Sequence, residues 1–104
     1  MSSNKILLVD DESEILDFLS YNLRSADYNV KIANNGEEGI AIANEYEPDL
    51  ILLDMMMPEM DGIETCEKIR ENEKLKGVLI AFLTARGEDY SQIAGFEAGA
   101  DDYI

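Results

Sequence analysis

The sequence predicts an α/β domain, a doubly wound parallel sheet covered by helices on both faces, and three observations carry that prediction. Short apolar runs at residues 6–9, 50–53 and 78–83 alternate with stretches of helical periodicity. The run at 50–53 is Leu-Ile-Leu-Leu, apolar at every position, as a central strand buried on both faces requires. That run stops at a carboxylate, Asp54, and the first run stops at Asp10-Asp11-Glu12. Parallel strands bring such ends to one edge of the sheet, the edge where ligands bind in open α/β folds.

Each element has its own signals. The run at 6–9 leads into a helix over 13–26, with Ile15, Leu16, Leu19 and Leu23 at helical spacing and Asp11 or Ser13 as N-cap. Asp27-Tyr28-Asn29 breaks it, and residues 30–33 read as a shorter strand suited to a sheet edge. Asn34-Asn35-Gly36 turns the chain, and Asn35 with Glu38 resembles a capping box for a helix over 37–46, packed through Ile40, Ala41 and Ala43. Pro48 separates that helix from the central strand.

After Asp54, Pro58 cannot continue a ladder and Asp61-Gly62 supplies a turn and a helix start, so the loop is expected to hold Asp54 fixed and exposed. Asp61 with Glu64 repeats the cap pattern and opens a third helix, which turns Ile63, Cys66 and Ile69 inward and ends by Asn72 and Gly77. The strand at 78–83 is followed by Thr84-Ala85-Arg86-Gly87, then by a fourth helix over about 89–98 that Gly99 closes. Tyr103-Ile104 begins a fifth strand.

A chain of 104 residues is one domain, with 46% hydrophobic and 30% charged residues, an ordinary globular composition. Eight Lys and Arg against 23 Asp and Glu give a net charge of −15, which argues against direct nucleic-acid contact and favours cationic partners. Most of those acids are explained as a solvated surface. A single cysteine, Cys66, excludes an intrachain disulfide, and its place among helical residues reads as packing. The start of the chain is too short and polar for a signal peptide, and no run reaches membrane-spanning length, so a cytoplasmic location is expected. Histidine is absent, which removes imidazole catalysis and ligation.

Chemistry is expected where the acids meet. Should the first and third runs be neighbours, Asp10, Asp11 and Asp54 converge and repel one another, so a cation belongs there. Oxygen ligands without His or thiolate clusters favour Mg²⁺ over Zn²⁺, and few protein ligands favour it over Ca²⁺. With a cation in place, a carboxylate can act as nucleophile toward a phosphoryl group. Asp54 is the best nucleophile because Pro58 and Gly62 fix its loop, with Asp10 and Asp11 as metal ligands. Thr84 offers a hydroxyl to the same edge, although on its own it reads as a β-branched strand end. Neither a Gly-rich dinucleotide fingerprint nor a P-loop is present.

The chain resembles the receiver domains of bacterial two-component response regulators. The residues that carry the resemblance are Val9-Asp10-Asp11-Glu12, Asp54-Met55-Met56-Met57-Pro58-Glu59-Met60-Asp61-Gly62, Leu83-Thr84-Ala85, and the stretch Gly-Phe-Glu-Ala-Gly-Ala-Asp-Asp-Tyr-Ile at 95–104. It runs from Lys5 to the last residue. The resemblance implies a flavodoxin-like sheet of order 2-1-3-4-5, with one receiver domain over 1–104. It implies that Asp54 accepts a phosphoryl group from a sensor histidine kinase or phosphotransfer protein. Mg²⁺ would be held by Asp11, the Asp54 carboxylate and the Met56 backbone carbonyl, with Asp10 assisting. Thr84 would turn toward the phosphoryl oxygen and Tyr103 would follow it inward, a two-state switch and not an enzyme in the usual sense.

One departure from the family stands out. Its Lys-Pro pair would fall two residues after Ile104, and its last helix would follow, so the chain reads as a piece of a longer regulator. Without that ammonium, slower phosphorylation and a weaker switch are expected. Without that helix, apolar surface beside the first helix invites self-association as a homodimer or by helix exchange. The alternative is a receiver-fold binding or assembly module that does not switch. A Mg²⁺-dependent aspartyl phosphatase is disfavoured, because Asp54-Met55-Met56 lacks the second acid of an Asp-x-Asp site.

Overall fold

The computed structural model describes residues 4–83 and 99–103, the last two by their backbone. The expected fourth helix at 89–98, Thr84 and Ile104 lie outside the described residues. The elements are β1 (Lys5–Val9), α1 (Ser13–Ser25), β2 (Asn29–Ala33), α2 (Gly36–Tyr46), β3 (Leu50–Asp54), α3 (Gly62–Arg70), a 3₁₀ turn (Glu73–Leu75), β4 (Leu79–Leu83) and β5 (Asp102–Tyr103). The strands form one parallel sheet of order β2-β1-β3-β4-β5, the expected topology, with β2 at an edge.

Apolar residues sort by strand parity. Leu7, Val9, Ile51, Leu53, Ile80 and Phe82 join Ala43 of α2 with Cys66 and Ile69 of α3 in one core. Ile6, Leu8, Leu52 and Ala81 join Leu16 of α1 in a second core on the opposite face, with Leu19 and Leu23 against it. Both faces of β3 are therefore covered, which is why its sequence shows no polar alternation. Full burial of each Leu here stabilises by roughly 1.5–3 kcal/mol, so the three central strands form the stable frame on which the loops are set.

Caps fix the helix starts. Asn35 accepts the Glu38 amide at 2.8 Å, and the Glu38 carboxylate reaches the Asn34 amide at 3.0 Å instead of the cap's own. Asp61 accepts the Glu64 amide at 2.9 Å. α1 departs from expectation, since neither Asp11 nor Ser13 is the N-cap: Glu12 holds that place and makes no side-chain cap. The reason lies next door, where the Asp10 carboxylate takes the Glu12 amide at 2.9 Å and so turns the chain into the helix. α3 ends at Arg70, earlier than expected, and Asn72 caps the 3₁₀ turn that follows by accepting the Lys74 amide.

Candidate functional site

Strand order reverses between β1 and β3, and their carboxyl ends open the crevice in which such sheets bind ligands. Val9 pairs with Leu53 in register, so Asp10, the residue after β1, and Asp54, the last residue of β3, leave the sheet side by side. Asp11 joins them. One carboxylate oxygen from each of Asp10, Asp11 and Asp54 lies within 4.8 Å of the others.

The acids differ in environment. Asp10 is 2% exposed and Asp54 8%, whereas Asp11 is open to solvent. The expectation that Asp54 would be exposed is therefore corrected: it is nearly buried and reached through a cleft. The β3–α3 loop folds back over it, because Gly62 donates its amide to the Met55 carbonyl at 3.0 Å. A Cβ on Gly62 would come within 2.7 Å of Met55 Cα, so this approach requires glycine. Met55 and Met57 anchor the loop in the core, and Met56 between them is exposed. The Met56 amide donates to Asp54 Oδ1 at 3.2 Å.

Burial pushes the Asp54 carboxyl up to about 7, with the Asp10 charge adding to the rise. Asp10 is also raised, first by burial and then by the charge of Asp11, against the lowering bond from the Glu12 amide. Among the described residues, no Lys or Arg forms an ion pair with any of the three; the ion pairs are Arg70 with Asp101 and Lys76 with Glu73. Three close carboxylates, with Asp10 and Asp54 raised in proton affinity and no cationic partner among the described residues, fit a hard divalent ion with oxygen ligands.

A cleft of about 400 Å³ gives access to the acids. Asp10, Asp54, Glu12 and Glu14 form its polar side, and Ile15, Phe18 and Leu83 are part of its apolar side. Sequence reasoning missed this apolar wall, because Phe18 lies off the buried stripe of α1 and is 67% exposed. Of the other expected site residues, Met56 lines the cleft, the backbone of Tyr103 pairs with Phe82 at the end of β5, and Thr84 lies outside the described residues.

A doubly wound sheet with carboxylates at its switch point is the architecture of phosphoryl-accepting signalling domains, and the comparison with known proteins agrees. The chain belongs to the response regulator receiver domain family, whose model matches residues 6–104. It is 44% identical over 102 residues to the alkaline phosphatase synthesis transcriptional regulatory protein PhoP of Bacillus subtilis, covering 98% of this chain and 42% of that protein. It is 50% identical over 103 residues to the transcriptional regulatory protein ResD of the same organism, covering 99% of this chain and 42% of the relative. The chain thus spans about two fifths of the length of these relatives. Among solved structures it is similar to the chemotaxis protein CheY4 of Vibrio cholerae, with a TM-score of 0.95, 31% identity, and coverage of 98% of this chain and 85% of that one.

Proposed function

We propose that this receiver domain accepts a phosphoryl group on Asp54 from a sensor histidine kinase or phosphotransfer protein. The observation that carries the reading is the convergence of Asp10, Asp11 and Asp54 within 4.8 Å, with Asp54 nearly buried at the base of an open cleft. Asp11, the Asp54 carboxylate and the Met56 backbone carbonyl would hold Mg²⁺, with Asp10 beside them. When bound, the ion offsets charge on the phosphoryl oxygens and on the carboxylates.

The chain's own residues do the rest. An Asp54 oxygen attacks phosphorus, the phosphorus–nitrogen bond of the donor histidine breaks, and an acyl phosphate forms on Asp54. The attacking carboxyl must be ionised, whereas burial, with the Asp10 charge adding to it, raises its pKa to about 7 in the cation-free domain. Ionisation of Asp54 and cation binding are therefore linked. The Met56 amide fixes one Asp54 oxygen. The apolar wall limits water at the acyl phosphate. Thr84 and Tyr103 are the residues through which the added charge is passed to the rest of the domain, as a population shift between two states. The module receives a group and does not turn over substrate.

No helix among the described residues is long and apolar enough to cross a membrane, and a cytoplasmic setting suits a kinase partner. A net charge of −15 argues that this segment does not itself grip nucleic acid. The test is intact mass after incubation with Mg²⁺ and acetyl phosphate, alongside Asp54→Asn. An adduct on the parent chain that the variant lacks is expected. A folded parent chain that gains no adduct would overturn the reading in favour of a non-switching binding module.

A further inference from the structure

We infer that Arg70 and Asp101 form a register lock, in which the last residue of α3 fixes how β5 pairs with β4. The Arg70 side chain is only 18% exposed and its guanidinium is the hub of the amino-terminal edge of the sheet. Nε donates to the Gly99 carbonyl at 2.9 Å. Nη1 donates to the carbonyls of Leu75 at 3.1 Å and Val78 at 2.7 Å, and Nη2 to Asp101 Oδ2 at 2.8 Å. A planar fork with several donors is what lets one side chain bind the 3₁₀ turn, the start of β4 and the approach to β5 at once.

Asp101 completes the lock from the other side. Its amide donates to the Ile80 carbonyl at 2.8 Å, and its Oδ2 accepts the Ile80 amide at 2.9 Å. The same oxygen therefore holds both Ile80 and Arg70. The strand needs such a device, because β5 is an edge strand whose described register consists of Ala81 with Asp102 and Phe82 with Tyr103. A slip by one residue would exchange Asp102 and Tyr103 between the faces of the sheet.

The sequence alone leaves that slip open, since Asp101 and Asp102 are identical in chemistry. What resolves it is the Gly99 carbonyl, which Arg70 grips two residues upstream. Gly99 has φ +108°, and a Cβ there would come within 2.9 Å of Arg70 Cγ. The turn can deliver Asp101 to the guanidinium only from this glycine. Arg70 is thus a positioning residue for β5, and the inference stands whether or not Asp54 is phosphorylated.

The test uses the whole chain labelled with 3-fluorotyrosine, with the Tyr103 fluorine resonance assigned by Tyr103→Phe, together with amide exchange at Ile80. Arg70→Leu is expected to shift or split the Tyr103 resonance and leave those of Tyr21, Tyr28 and Tyr46 in place. Exchange at Ile80 should rise roughly tenfold or more in Arg70→Leu and in Asp101→Asn, with Leu8 and Leu52 unchanged. A general loss of stability would instead move all resonances and all three amides together, and that result overturns the inference. So does a Tyr103 resonance and Ile80 exchange rate untouched by Arg70→Leu. If Arg70→Leu does not fold, Arg70→Lys decides: an ammonium keeps the charge but not the fork, so it should reproduce the local changes, and full retention of the parent signals refutes the lock.

Discussion

Replacing Asp54 with Asn should change how the stability of the cation-free domain depends on pH. Burial and the Asp10 charge raise the folded-state pKa of Asp54 to about 7, whereas the unfolded chain titrates near the ordinary value of about 3.9. A carboxyl with a raised folded pKa binds its proton more tightly in the native state. Its contribution to stability is therefore full below about pH 4 and is lost as pH rises toward about 7. Comparing pH 5 with pH 8 samples about two pH units of that window, a ceiling of about 3 kcal/mol. Water entering the cleft screens the effect, so a loss of about 1–2 kcal/mol is expected. Asn cannot ionise, so the Asp54→Asn variant should lose clearly less. Urea unfolding in chelator at the two pH values, with m-values compared to exclude a change in the unfolded state, measures the difference. The acids remote from the site are common to both proteins and cancel in the comparison. Equal pH slopes for parent and variant would refute the electrostatic account of the site. Millimolar Mg²⁺ should restore the parent at pH 8 more than the variant, by the mass-action stabilisation of a ligand that binds the native state.

Three further outcomes follow from particular contacts. Gly62→Ala should cost about 3 kcal/mol or more and weaken Mg²⁺ binding, because the new methyl meets the Met55 and Asp54 backbone; thermal unfolding and calorimetric titration read both. Glu47→Gly should stabilise by about 0.5–1 kcal/mol, because Glu47 caps α2 at φ 49°, a left-handed conformation that glycine adopts without strain; a raised urea midpoint at unchanged m is the readout. Cys66 is fully buried and burial pushes its thiol up to about 11, so at pH 8 iodoacetamide should modify it only as fast as the domain opens. Rapid alkylation of the native protein would contradict that placement.

Much of the fold was legible because each local signal agreed with the others. The fully apolar run at 50–53 became the central strand, and both Asx caps formed where Asn35 and Asp61 precede Glu38 and Glu64. The N-cap of α1 was misread, since Asp10 captured the Glu12 amide and left Asp11 and Ser13 without that task. Asp54 was expected to be open because Pro58 and Asp61-Gly62 end the strand and turn the loop away. The turn-back of Gly62 buried it, and nothing in the linear sequence reports how closely two backbones approach. The role of Arg70 had no local signal, because its partners Gly99 and Asp101 lie far along the chain.

By itself the sequence determined the alternation of strands and helices and the identity of the three acids, because hydrophobic period and cap chemistry act over a few residues; the strand order was implied by the family resemblance and not by that period. Tertiary structure decided which charges lack partners, how deeply Asp54 sits and what holds β5 in register. Those properties depend on groups far apart in the chain, such as Asp10 with Asp54 and Arg70 with Asp101, whose energies exist only once packing has brought them within hydrogen-bond or Coulomb range.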